Sequence, residues 1–266
     1  MKKTIDYQKG KIGYYDEGSG NVIIFLHGYL ETSDVWRGFI PGLAERFRVI
    51  SIDLPGHGGS GVFGEQHSMD FMADAVLAVM NEEGIAKAML TGHSMGGYVT
   101  LAFVEKYPER LSAYCLFHSH PFDDTEEIIA NRKREIRVVE SGKKDVIYPV
   151  NIPKMFADFN TNRFKDQLEH NKEIASAIPA DGIIAVLKGM ISRPSRIEIL
   201  EKGDIPLLMI LGKHDNYIPF NEVKDMIKLP ANDEMLVLEK SGHLGFIEEK
   251  EKSQQAIINF YNKNLE

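Results

Sequence analysis

Six short apolar runs punctuate the chain, at Val22–Leu26, Val49–Ile52, Ala88–Thr91, Tyr114–Phe117, Pro206–Leu211 and Met235–Leu238. Most of them end in Gly, Asp or His, and their length is that of strands buried on both faces. Segments with helical periodicity lie between them, among them Met69–Glu83, Gly97–Lys106 and Phe220–Lys228. This alternation is the rhythm of βαβ units, so the expected class is α/β: a mostly parallel central sheet covered by helices on both faces. In such a sheet, reactive groups belong on the loops that leave the strands' carboxyl ends. A chain of 266 residues, 43% of them hydrophobic, can bury the core this requires.

The rhythm stops between 121 and 193, where helical patterns continue without a convincing strand. The expected organisation is therefore a core at 1–120 and 194–266 with a helical cap inserted at 121–193. Asp123-Asp124-Thr125-Glu126-Glu127 supplies a cap and first-turn acids for one helix, which Gly142 ends. Two more are expected at Arg163–Ala177 and Asp181–Met190. Helices inserted after a central strand would lie over the sheet's carboxyl edge as a lid.

Charge and composition exclude several classes. The net charge of -8 leaves no basic stripe for a phosphate backbone, so no nucleic-acid partner is expected. No run approaches the ~20 apolar residues that span a bilayer, and the N-terminus lacks the apolar stretch of a signal peptide, so the expected location is cytoplasmic, without a membrane partner. Cys115 is the single cysteine and lies in an apolar run, which makes it a core residue. The spacing of His118, His120 and their neighbouring aspartates matches no zinc pattern, so no metal is expected.

The chemistry is carried by three strand ends. Gly92-His93-Ser94-Met95-Gly96 is a G-x-S-x-G pentapeptide, which arises by chance in roughly one chain in ten of this length. Its setting is more specific, because it follows a strand and opens a helix, where a serine is lifted onto a strained turn. Gly92 and Gly96 leave room for neighbouring backbone. A serine hydroxyl needs a base to take its proton and an acid to orient that base. His243 follows the last strand and Asp215 follows the one before it, in the order Ser, Asp, His; Asp123 and Asp124 are the alternative acids. The backbone amides of Met95 and Tyr29 are nominated as oxyanion donors. Gly28 lets the backbone turn inward there, and His27 is read as a structural hydrogen-bonding residue. His93, His118, His120, Phe122, Tyr148 and Leu244 are candidate pocket residues.

With His27-Gly28, Asp53-Leu54-Pro55-Gly56-His57-Gly58-Gly59-Ser60, the pentapeptide, Asp215 and His243 in place, the chain resembles the α/β-hydrolase superfamily across nearly its whole length. The resemblance implies a cofactor-free serine hydrolase of small-molecule esters or related acyl substrates, carboxylesterase-like, working through an acyl-enzyme. The superfamily also contains C–C bond hydrolases, a menaquinone-pathway lyase and ligand receptors. Haloalkane dehalogenases carry aspartate where Ser94 stands. C–C hydrolases typically place Trp where Leu244 stands, and the lyase typically has Arg where Tyr98 stands. Arg132, Arg134, Arg137 and Arg163 of the cap are read as a solvated helix face, with carboxylate binding as the alternative.

Overall fold

The computed structural model describes residues 2–230 and 233–265. The first half contains β1 (Lys2–Tyr7), β2 (Gly10–Glu17), β3 (Val22–Leu26), α1 (Pro41–Ala44), β4 (Arg48–Ile52), α2 (Met69–Glu82), β5 (Ala88–His93), α3 (Met95–Lys106) and β6 (Leu111–Phe117). Helices α4 (Glu126–Glu140), α5 (Tyr148–Met155), α6 (Lys165–Ala177) and α7 (Ala180–Ile191) follow without an intervening strand. The chain closes with α8 (Ile197–Lys202), β7 (Leu207–Gly212), α9 (Phe220–Met226), β8 (Glu234–Leu238), α10 (Gly245–Glu248) and α11 (Lys250–Leu265).

The eight strands form one sheet in the order β1-β2-β4-β3-β5-β6-β7-β8, parallel from β4 onward. Every residue of β5 and β7 is buried. Successive side chains point to opposite faces, so the sheet is covered on both sides at its centre. Cys115 is fully buried in β6, and burial pushes its thiol above the ordinary range.

The antiparallel β1–β2 pair has no counterpart among the six apolar runs. Lys2, Thr4 and Asp6 alternate with Lys3, Ile5 and Tyr7, the pattern of an edge strand with one wet face, which a search for fully apolar runs passes over. The inserted segment likewise holds four longer helices rather than three. Pro149 and Pro153 mask α5 in the sequence; Pro149 lies in the first turn, where no amide is needed, and the short helix ends just past Pro153. Thr125 caps α4 by accepting from the Ile128 amide.

Candidate active site

Ser94 joins β5 to α3 with φ 49° and ψ −114°. That conformation costs a residue with a side chain on the order of 1–3 kcal/mol, so its surroundings must enforce it. The Ser94 amide donates to the Phe117 carbonyl at 3.0 Å, and its carbonyl accepts from the Gly97 amide at 2.9 Å and the Ser119 hydroxyl at 2.8 Å. A Cβ on Gly92 would lie 2.2 Å from the Gly96 carbonyl oxygen, and one on Gly96 would lie 2.5 Å from that of Leu26. Backbone occupies both places, so the serine can be presented only between two glycines.

The loop after β3 brings Tyr29 to the same place. No hydrogen bond among the described residues takes the amide of Tyr29 or of Met95, the first residue of α3. The turn differs from expectation: Leu30, not Gly28, has the positive φ, at 60°. Gly28 is needed for close approach instead, since a Cβ there would sit 2.8 Å from His93 Nδ1. His27 bridges two loops, its Nε2 accepting from the Leu54 amide at 2.9 Å while Nδ1 faces the Gly28 carbonyl at 2.8 Å.

Asp215 and His243 leave β7 and β8 and meet with His243 Nδ1 2.7 Å from Asp215 Oδ2. Asp215 Oδ1 accepts from the amides of Tyr217 and Ile218 at 2.8 and 2.9 Å. A second imidazole shares the carboxylate: His118 Nδ1 is 3.3 Å from Oδ2. The Gly245 amide donates to His118 Nε2 at 3.0 Å. The Gly212 amide donates to Nδ1 at 3.1 Å, so backbone from β7 and from the start of α10 holds the ring on both sides. Burial works to raise the Asp215 carboxyl, yet the charge of His243 and the hydrogen bonds of both imidazoles hold it far below the usual carboxylate range. Burial pushes His118 down to about 4, against the pull of Asp215. His118, Asp215 and His243 bring ligand-type atoms within 4.8 Å, but these same atoms are committed to one another.

A cavity of about 140 Å³ opens between the sheet edge and the inserted helices. Ser94 and His243 both line it, together with Tyr29, Leu30, Tyr98, Tyr217 and Ile218 of the core. Arg132 and Glu135 of α4, Asn151 and Met155 of α5 and Met190 of α7 complete it. The Tyr29 hydroxyl donates to Glu135 at 2.7 Å, and burial raises the Glu135 carboxyl against that hydrogen bond.

The candidate pocket residues lie elsewhere. His93 and His118 are fully buried beneath the cavity and Leu244 is packed in the core. His120 contacts the Tyr98 hydroxyl at 3.4 Å and stacks on Phe122, so this pair stands behind Tyr98, and Tyr148 also lies outside the lining. Asp124 is bound by Arg132 at 2.7 Å and Arg193 at 2.6 Å, which removes it as an acid for His243; Asp123 is exposed. Arg132, read as solvated, turns inward. It continues the buried stripe of Ile136 and Val139 on α4 at helical spacing, the signal that would have placed it.

The sequence profile of the alpha/beta hydrolase fold matches residues 21–250. A thermophilic esterase from Thermogutta terrifontis, solved with malate bound, superposes with a TM-score of 0.93 over 99% of this chain and 98% of that one, at 28% identity. The pimeloyl-[acyl-carrier protein] methyl ester esterase of Aeromonas hydrophila is 27% identical over 91% of this chain and 96% of its own length. A putative 2-succinyl-6-hydroxy-2,4-cyclohexadiene-1-carboxylate synthase of Bacillus subtilis is 27% identical over 88% of each. Sheet order, strained serine turn and profile match agree, and the chain belongs to the α/β-hydrolase family.

Proposed function

We propose that this hydrolase cleaves carboxylic esters of small molecules through an acyl-enzyme on Ser94. The observation that carries this reading is the convergence on one cavity of a serine in a strained strand-to-helix turn and a histidine whose far nitrogen is 2.7 Å from a buried carboxylate. Ser94 Oγ attacks the ester carbonyl while His243 Nε2 takes its proton. Asp215 keeps the proton on Nδ1 and stabilises the imidazolium. The amides of Tyr29 and Met95 receive the oxyanion, each donor worth about 3 kcal/mol at the transition state. His243 then returns the proton to the departing alcohol, and a water activated by the same nitrogen releases the acid. The relatives named as esterases support the reaction class, and the small cavity supports short acyl groups. The inserted helices form the roof that excludes bulk water.

Purified protein should release p-nitrophenol from the acetyl and butyryl esters faster than from the octanoyl ester. Ser94→Ala should lower kcat by about 10³-fold or more. Unchanged turnover in that variant rules the reading out.

One observation favours a second reading. Arg132 in the cavity wall can hold a carboxylate, which a C–C hydrolase or a lyase acting on a carbon acid requires, and the Bacillus subtilis relative carries a name of that kind. The same triad would then act on an anionic substrate.

A further inference from the structure

Glu31 and His93 lie directly beneath the triad and take no part in the chemistry just described. Glu31 is 1% exposed and His93 is fully buried. Glu31 Oε2 accepts the Gly28 amide at 2.6 Å and faces His93 Nδ1 at 2.8 Å. On the far side of the ring, His93 Nε2 is 2.8 Å from the carbonyl oxygen of His243. The His243 carbonyl can only accept, so Nε2 carries hydrogen; Glu31, whose carboxyl is lowered by His93 and the Gly28 amide against its burial, accepts as a carboxylate, so Nδ1 carries one too and the ring is an imidazolium. Burial opposes that charge, and the Glu31 carboxylate overcomes it and raises the His93 pKa. The other ionisable groups facing His93 are His27, His118, His243 and Asp215, and none of them offers it a hydrogen bond from its side chain.

A buried ion pair is a costly way to fill space. The rings around this one are the apolar Trp36, Phe117 and Phe246 together with the imidazoles of His118 and His243, and none of these needs a charge between them. The position of its bonds accounts for its presence. One end grips the loop that carries Tyr29, where Leu30 is held at a positive φ. The middle is the residue before Ser94, and the other end grips the backbone of the base.

We propose that Glu31 and His93 form a buried carboxylate–imidazolium strut that holds the Tyr29 amide and His243 in register with Ser94. The proposal rests on the serine-hydrolase reading above, and it makes both residues positioning residues rather than catalytic ones. The strut sets the gap between oxyanion donor and base, so loosening it slows the acylation step and leaves ground-state binding in place.

The test normalises for folding by titrating competent sites with a fluorophosphonate and measuring p-nitrophenyl acetate turnover per titrated site. Glu31→Gln and His93→Gln should each lower kcat about tenfold or more with KM held within about threefold, and the double variant should be no worse than the weaker single one. Turnover per site within about twofold of wild type in both single variants overturns the proposal. A second readout needs no activity. In ¹⁵N-histidine NMR spectra near neutral pH, both ring nitrogens of His93 should be protonated, and Glu31→Gln should return the ring to the neutral form. A neutral His93 in the wild-type protein also overturns it. A wild-type protein that takes up no fluorophosphonate on Ser94 defeats the hydrolase reading instead, and the spectra still report on the strut.

Discussion

Arg132 is the cavity residue whose chemistry most narrows the substrate. Its Nε and Nη2 are held by Asp124, which also neutralises Arg193, so two guanidiniums share one carboxylate beside the cavity. Glu135 lines the same cavity; burial raises its carboxyl, against the hydrogen bond from Tyr29 and the charge of Arg132. Arg132 is the cavity cation that an anionic group on a substrate would meet under the second reading proposed above. Arg132→Gln should raise KM for a carboxylate-bearing ester such as a succinate monoester by about 10- to 100-fold, the worth of one charge-assisted contact, and leave a neutral acetate ester within about threefold. Parallel kinetics on the two esters decide it, and equal effects on both would remove the anion-binding role. The positions of Ser94, Asp215 and His243, the proposed triad, were legible because each follows a strand at an expected place. Glu31, Arg132 and Glu135 were not, because nothing local separates an inward charge from a solvated one. Their roles arise from contacts that span 62 residues in one case and 106 in another.

Among the elements, α7 binds the inserted segment to the core. Gly182 and Gly189 stand seven residues apart on one face of this helix, and a Cβ on them would lie 2.1 Å from the Gly56 carbonyl oxygen and 1.7 Å from that of His67. The His67 amide donates to the Ala185 carbonyl between them at 2.9 Å. The inserted segment is thus fastened to the core along α7. Gly189→Ala forces backbone apart, so it should cost about 2–3 kcal/mol and lower Tm by about 5–10 °C. Calorimetry reads this directly, and an unchanged Tm would mean that the contact is slack. Helix periodicity revealed α7 in the sequence. The glycine face was hidden, because small residues at that spacing carry meaning only once their neighbour is known.

The whole molecule stores neutral imidazoles. Burial pushes His118 down to about 4 and His120 to about 3, and also lowers His27, His57 and His67. An unfolded histidine titrates near 6.5, so below that pH the unfolded chain binds protons that the native protein refuses. These lowered histidines therefore add no pH dependence above about pH 6.5, and below it stability should fall steadily toward pH 4, with His118 alone contributing on the order of 3 kcal/mol across that window. His93 has the opposite sign: its contribution is complete below 6.5 and declines only as pH rises through its raised native value, so it does not flatten the acid limb. A Tm that holds constant between pH 7 and pH 4.5 would contradict this account. The sheet centre was readable from the sequence because burial on both faces leaves uninterrupted apolar runs, whereas the β1–β2 edge, wet on one face, leaves none. Finally, the amide of His243 donates to the carbonyl of Met155 at 2.7 Å, and a Cβ on Gly242 would press 2.5 Å from the Ala157 amide. The base therefore hangs from the roof as well as from the sheet. The Met155 carbonyl thus ties the position of the imidazole proposed as proton acceptor to the inserted segment, so a substitution that shifts α5 reaches the chemistry without touching a substrate.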